Sequence, residues 1–330
     1  MLAEKLSQLD VIFPALEDYS ALKVLHSLEH QISAPIVFDL AAYEVTRSKK
    51  NSRKFFARHG LPHALSWPRA EFPVIVKPVE GSGSQEVYQA DDISQLNQLR
   101  DQFSRRNEDY IIEEFLQGEV YSLEVIADGD KVYKFLPTKL KFDEDYDCSQ
   151  VLAGKIIKEE KRKKLESLAE NCAYELNLRG IMDIEVIDSR KGLKIMEIDA
   201  RFPSQTPITV YEAADINMVK ILAEVFRENP GKITERIYQA RRNERSDFRA
   251  VIYEQIRVEK DRLEIVGEHV ISGSKNLHLC RDFFGAEKAL TNYCPGRSNW
   301  QAVLIFAGDN MSSVKAKRRI TYDTIEKVIK

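Results

Sequence analysis

The chain lacks any apolar run near the roughly 18 residues that a membrane-spanning helix needs. Its first ten residues, MLAEKLSQLD, carry charge where a secretory leader would be apolar. The expectation is a cytoplasmic protein with no membrane partner. Cysteine is scarce, and Cys148, Cys172, Cys280 and Cys294 form no CxxC and sit in no His-rich spacing, which argues against zinc and for free thiols. Positive charge is not in excess either: 49 Lys and Arg against 52 Asp and Glu leave a net −3, so no global field favours nucleic acid. Any anion has to be held by local groups. Two phosphate signatures are missing as well: there is no GxxxxGK[ST], and GSGSQE fails GxGxxG at its last position.

What is present is a 330-residue chain, 43% hydrophobic and 31% charged, long enough for two or three domains with buried cores. DVIFPAL and APIVFDL, with a helical stretch from Tyr19 to Gln31 between them, read as a fragment of an α/β layer. Two strands and a helix are too few for a stable sheet, so this part either leans on a neighbour or has lost earlier strands. Helical spacing over 39–60 ends at Gly60-Leu61-Pro62. Val74-Ile75-Val76 is strand-like, with Lys77 at its end before the Gly/Ser loop 80–85. Strands are expected at 110–115 and 120–127, the second closing at Asp128-Gly129 into a hairpin. Residues 139–154 read as a charged loop, 156–178 and 211–228 as helices, and 248–310 as strand-rich before a basic terminal helix. A basic stretch, ARRNERSDFR, marks the boundary before that last part.

The segment from Gly180 to Arg201 carries the most physics. With Arg190-Lys191-Gly192 as a three-residue turn and Gly192 left-handed, Glu185 faces Glu197 and Asp183 faces Asp199. Alternation then sets all four acids on one face with Ile187, Leu193 and Ile195, and Met182, Ile184, Val186, Met196 and Ile198 on the other. Like charges directly opposed repel. Either the acids are solvated or a cation sits among them, and hard oxygen donors without Cys or His suit Mg²⁺. Lys77 with Gly81, Ser82, Gly83 and Ser84 fits a phosphate cradle, since glycine lets backbone N–H groups approach oxygens closely; a plain surface loop is the competing reading. Arg47, Lys49 and Lys50 on the preceding helix are further candidates.

In their order, VIVKP, the Gly/Ser loop, IIEEFLQGEV, GIMDIEVID and IMEIDAR resemble the ATP-grasp superfamily of carboxylate–amine ligases over about residues 35–330. Within it, YDC at 146–148, GIMDIEV at 180–186 and MEIDARFPSQTP at 196–207 resemble the pyrrolysine-biosynthesis ligase family, PylC. That resemblance implies an α/β (α+β) ATP-grasp fold in three parts: a remnant of an N-terminal α/β domain over 1–47, the ATP-grasp domain over 48–247 with a lid at about 70–137, and a β-rich part over 248–330. It implies ATP and two Mg²⁺ ions as cofactors. Position by position, Lys50 and Lys77 resemble phosphate ligands, Glu113, Glu114, Phe115 and Leu116 the adenine hinge, and Glu119 the ribose carboxylate, with Val120 as the alternative in that slot. Glu185, Glu197 and Asp199 resemble the metal ligands, and Arg201 the base that stabilises the transferring phosphate.

The activity so implied joins the carboxylate of 3-methyl-D-ornithine to the ε-amine of L-lysine through an acyl phosphate. For such small-molecule partners, Asp183, Tyr146, Asp147, Ser204, Gln205 and Thr206 are the candidates to hold ammonium and carboxylate groups, although Asp147 and Ser204 are also good turn residues. Another amino-acid or dipeptide ligase of the superfamily, and a non-catalytic ATP-binding protein, are the alternatives.

Overall fold

Short helices build the first sixty residues of the computed structural model, which describes residues 2–81, 83, 86–227 and 248–329. Helix α1 (Leu2–Leu6) is followed by α2 (Tyr19–Ser27), whose N-cap Asp18 accepts a hydrogen bond from the Ala21 amide. The two expected N-terminal strands meet only as an isolated parallel bridge, Ile12 to Ile36. The helix expected over 39–60 is broken into α3 (Leu40–Thr46) and α4 (Lys49–Arg58), because Ser48 turns extended and caps α4 through the Asn51 amide at 3.4 Å.

Two antiparallel sheets follow. The small one, in order β2-β1-β3, is made of β1 (Val74–Pro78), β2 (Tyr88–Ala90) and β3 (Tyr110–Glu114), and α5 (Ile93–Arg106) packs Leu96 and Phe103 against Val74, Val76 and Ala90. The large sheet takes β4 (Gly118–Asp128), β5 (Val132–Lys134), β6 (Thr138–Phe142) and β7 (Cys148–Ala153). It continues, after α6 (Glu159–Glu175), with β8 (Arg179–Ser189) and β9 (Gly192–Asp199). Helices α7 (Thr206–Ala214) and α8 (Met218–Arg227) divide at Asp215, which is left-handed at φ 55°. The boundary stretch ARRNERSDFR and the end of the expected helix at 228 lie outside the described residues, apart from Phe248 and Arg249.

Beyond it, β10 (Ala250–Glu259), β11 (Arg262–Ile265), α9 (Glu268–Ser272), β12 (His278–Phe283), β13 (Ala286–Thr291), β14 (Asn299–Gly308) and α10 (Met311–Ile329) complete the chain. These strands do not form a sheet of their own. β10 pairs with β7, Val251 opposite Ala153, and carries the ladder through to β14, so eleven strands share one sheet. Residues 139–154, expected as a loop, supply its β6 and β7. Lys139 and Lys141 alternate with inward Leu140 and so disguise a strand as a charged tract. β4, placed with the lid at the sequence level, also belongs to this sheet, where it pairs with β8 along eleven residues.

A short strap joins the two sheets. Ile195 at the β9 edge receives residues 62–63, its amide donating to the Pro62 carbonyl at 2.7 Å, while four residues on Trp67 donates to Ile112 of β3 at 3.0 Å. The pocket lies between the sheets, beside this strap.

Candidate active site

The hairpin β8–β9 pairs Glu185 with Glu197 and Asp183 with Asp199, as the alternation requires. Past Glu185 the register shifts by one: Val186 faces Ile195, and the loop is the two-residue Arg190-Lys191 between Ser189 and Gly192, the last at φ 95°. Met196 is the extra residue. It turns to the acidic face and lines the pocket, whereas Ile195 and Leu193 pack with Met182, Ile184 and Val186 on the apolar one, the reverse of the expected placement. Ile187 stays on the acidic side as expected.

The acids are half-buried and have few cations. Arg201 Nε lies 2.7 Å from Asp199 Oδ2, its other arm reaches Glu17 at 3.0 Å, and Lys49 Nζ stands 3.7 Å from Glu197. Among the described residues no base lies within 4.0 Å of Asp183 or Glu185. Burial, with Glu197 beside it, raises Glu185 to about 8, and burial with Asp199 and Glu185 lifts Asp183 well above the carboxylate range. Asp199 rises to about 6, burial outweighing the Arg201 charge. The adjacent β4 adds a carboxylate that the sequence reading missed: Glu124, opposite Asp183, is fully buried and raised by burial to about 7. The alternation Ser122, Glu124, Ile126 was its only signal.

Whether these groups suit a divalent ion is a matter of donor chemistry. Asp199 Oδ1 is buried without a hydrogen-bond partner, and two carboxylate pairs face each other with a cation near only one member of each, Arg201 on Asp199 and Lys49 by Glu197. Among the described residues no three His, Cys, Asp or Glu side chains gather into a closed metal site, so Glu185, Glu197 and Asp199 are not a complete ligand cage. Mg²⁺ does not need one: it uses one or two carboxylates and fills its octahedron with water and phosphate oxygens. The donor set fits that mode.

Across the pocket sits a buried charge cluster of the opposite sign. Lys77 Nζ lies 2.5 Å from Glu113 Oε1, and Arg53 grips the same carboxylate through Nε at 2.7 Å and Nη2 at 3.0 Å. Burial alone would raise Glu113, but the Lys77 and Arg53 charges win and hold it at about 2; Lys77, wholly buried and close to Arg53, is lowered. Two cations on one anion leave one positive charge over, a suitable surface for phosphate. Arg53 was not foreseen, and it also donates to the Met196 carbonyl at 2.8 Å, where the bulge frees that oxygen.

Other expected residues divide by position. Lys50 is exposed and outside the pocket, while Lys49, one position earlier on α4 and about 100° round the helix, lines it and donates to the Gly81 carbonyl at 2.7 Å. Gly81 and Gly83 border the pocket with positive φ; Ser82 and Ser84 lie outside the described residues. Glu114, Phe115 and Leu116 line the pocket. Glu113 is spent on its two cations. Glu119 is exposed, bonded to Tyr121 and Lys139, and points away, and Val120, on the inward side of β4, lines the pocket in its place.

At the far end, Tyr146, Asp147, Ser204, Gln205 and Thr206 all border the space, and so does Cys148, whose thiol burial raises well above its ordinary range. Asp147 is occupied by the His269 amide at 2.9 Å and by the His269 ring. The whole cavity is about 390 Å³.

The fold is that of an ATP-grasp protein, and the family model described as ATP-grasp domain matches residues 46–205. The L-amino acid ligase from Bacillus licheniformis superposes with a TM-score of 0.67 at 15% identity, over 94% of this chain and 85% of that one. A 3-methyl-D-ornithine--L-lysine ligase of Methanosarcina mazei is 33% identical over 310 residues, which cover 94% of this chain and 76% of the relative. The enzyme of that name from Methanosarcina barkeri is 34% identical over 238 residues, 70% of this chain and 60% of its own length. The chain belongs to this family of ligases.

Proposed function

We propose that the chain is an ATP-dependent ligase that activates an amino-acid carboxylate as an acyl phosphate and transfers it to an amine, with 3-methyl-D-ornithine and the ε-amine of L-lysine as the substrates. The observation that carries this reading is the facing of two charge sets across one cavity, the opposed acids of β8–β9 and the Lys77–Arg53–Glu113 cluster. In such a ligase the substrate carboxylate attacks the γ-phosphorus of ATP in line, releasing ADP; the amine then attacks the acyl carbon and phosphate leaves. No covalent nucleophile of the protein is needed, so Cys148 is not required.

The chain's own part is position and charge. Lys77, with the excess charge of its cluster, and Lys49 would hold phosphate oxygens. Phe115 and Leu116 would border the adenine, in a segment pinned where the Glu114 and Phe115 amides donate to Leu65 and Pro73 at 2.8 and 3.1 Å. Arg201 would balance the transferring phosphate. Glu185, Glu197 and Asp199 would hold Mg²⁺, which when bound neutralises phosphate charge. A cytoplasmic location accords with ATP as substrate, and no described helix is long and apolar enough to cross a membrane.

The test is phosphate release by the full chain with ATP, Mg²⁺, D-ornithine and L-lysine, each omitted in turn. Release is expected only when both amino acids are present, and Glu197→Gln should lower it by about 100-fold or more with the melting temperature retained. Release indifferent to lysine would overturn the substrate assignment. Nucleotide binding without any release would make the protein a non-catalytic ATP-binding relative.

A further inference from the structure

At the end of the cavity away from Lys77, a carboxylate without a nearby cation stands next to a buried acceptor without a donor. Glu268, on α9, accepts from Ser204 Oγ at 2.6 Å through one oxygen and from Gln205 Nε2 at 2.6 Å through the other. It lines the pocket, yet among the described residues no Lys, Arg or His lies within 4.0 Å of it. Because the Gln205 amide nitrogen is spent on Glu268, its Oε1 is left as a bare acceptor; it is buried, unpartnered and on the pocket wall. Thr206, next in sequence, is buried on the same wall, its hydroxyl directed to the Glu124 carboxylate, which leaves Oγ1 lone pairs to accept. A buried acceptor without a donor costs about 1–3 kcal/mol, and one set next to a carboxylate with no cation within 4.0 Å marks a place built for a cationic donor.

We propose that Glu268, with Gln205 Oε1 and Thr206 Oγ1, binds the ammonium of an amino-acid substrate and thereby selects for it. The proposal rests on the ligase reading and names the residue that discriminates within it. An ammonium has three donors and one charge, matching these acceptors, whereas a neutral hydroxyl or amide would leave the carboxylate uncompensated. The amine held there is one that stays protonated: a carboxylate beside the attacking amine would favour its unreactive, charged form. Glu268 comes from beyond residue 247, outside the stretch 46–205 that the family model matches. It reaches the pocket because Gly267 approaches Asp147 so closely that an added Cβ would lie 2.0 Å from the carboxylate oxygen.

The test is calorimetry on the full chain with Mg²⁺ and a non-hydrolysable ATP analogue. D-ornithine is compared with D-norvaline, which lacks the side-chain amine, and with 5-aminopentanoate, which lacks the α-amine; L-lysine is compared with 6-aminohexanoate. The wild type should bind a parent amino acid about tenfold or more tightly than one of its analogues. Glu268→Gln should reduce that ratio below about threefold and leave analogue-nucleotide affinity unchanged. Ser204→Ala, which removes the loop contact but keeps the charge, should retain the ratio. A ratio unchanged in Glu268→Gln, no discrimination in the wild type, or equal loss in Ser204→Ala would each overturn the proposal. Failure of the ligase reading would look different: discriminating binding of amino acids with no phosphate released in their presence.

Discussion

Arg53 shows what a single side chain contributes here and why it was hidden. Helix α4 carries Lys49, Lys50, Arg53, Lys54 and Arg58, all alike as letters, and which of them faces inward depends on the helix phase. Lys49 and Arg53 are four apart and share the face that meets the pocket, while Lys50 is turned to solvent. Lys77 was legible because a lysine ending an apolar strand is unusual. Its pairing with Glu113 was not, since partners 36 residues apart in sequence meet only through the β1–β3 register, where Lys77 faces Ile111. Removing one member of a buried ion cluster costs about 3–5 kcal/mol, so Arg53→Met should destabilise the protein by that order in urea unfolding. Glu113 adds a pH signature. Its pKa falls on folding from 4.5 to about 2, so its stabilisation is complete above about 4.5 and is lost as the pH drops toward 2. Urea midpoints taken from pH 5 to pH 3 should fall less steeply for Glu113→Gln than for the wild type; parallel curves would show that the ionised carboxylate contributes nothing.

Among elements, the β8–β9 hairpin was the best read and its fault the most instructive. Alternation placed the four acids correctly, because a strand's period of two leaves little freedom near the paired residues. The bulge at Met196 was invisible, since one extra residue changes no composition, and it moved Leu193, Ile195 and Met196 to faces opposite to those expected. The misread β6–β7 segment failed for another reason: its connection contains Tyr146 at φ 64°, and the burial of Asp147 is decided by α9, more than a hundred residues away. The approach of α9 supplies a test at this level. Gly267→Ala places a methyl carbon against the buried Asp147 carboxylate, and overpacking of that kind costs about 1–3 kcal/mol. The melting temperature should drop by several degrees and the KM for amino acid should rise more than that for ATP; an unchanged melting temperature would mean that the segment yields freely.

For the molecule as a whole, the strand-rich part expected from about residue 248 is joined into the large sheet. β10 is the middle of a ladder running from β7 to β14, and Glu254 on it ties α10 in through Arg318 at 2.8 Å and Tyr322 at 2.7 Å. Pairing between strands a hundred residues apart leaves no local trace in sequence, which is why boundaries were harder to read than motifs. A chain cut after residue 247 should therefore leave the β7 edge open and fail to fold, seen as loss of a cooperative melt by circular dichroism; a cooperative melt would show that the ladder is dispensable. The strap at 62–67 has a consequence of its own. Among the described residues the two sheets share no rung of backbone pairing with each other; each is stitched separately to this short segment, and Arg53 links Glu113 of the one to the Met196 carbonyl of the other. The room between nucleotide wall and acid wall is thus set by the angle at which the strap and Arg53 hold the sheets, not by a ladder shared between them.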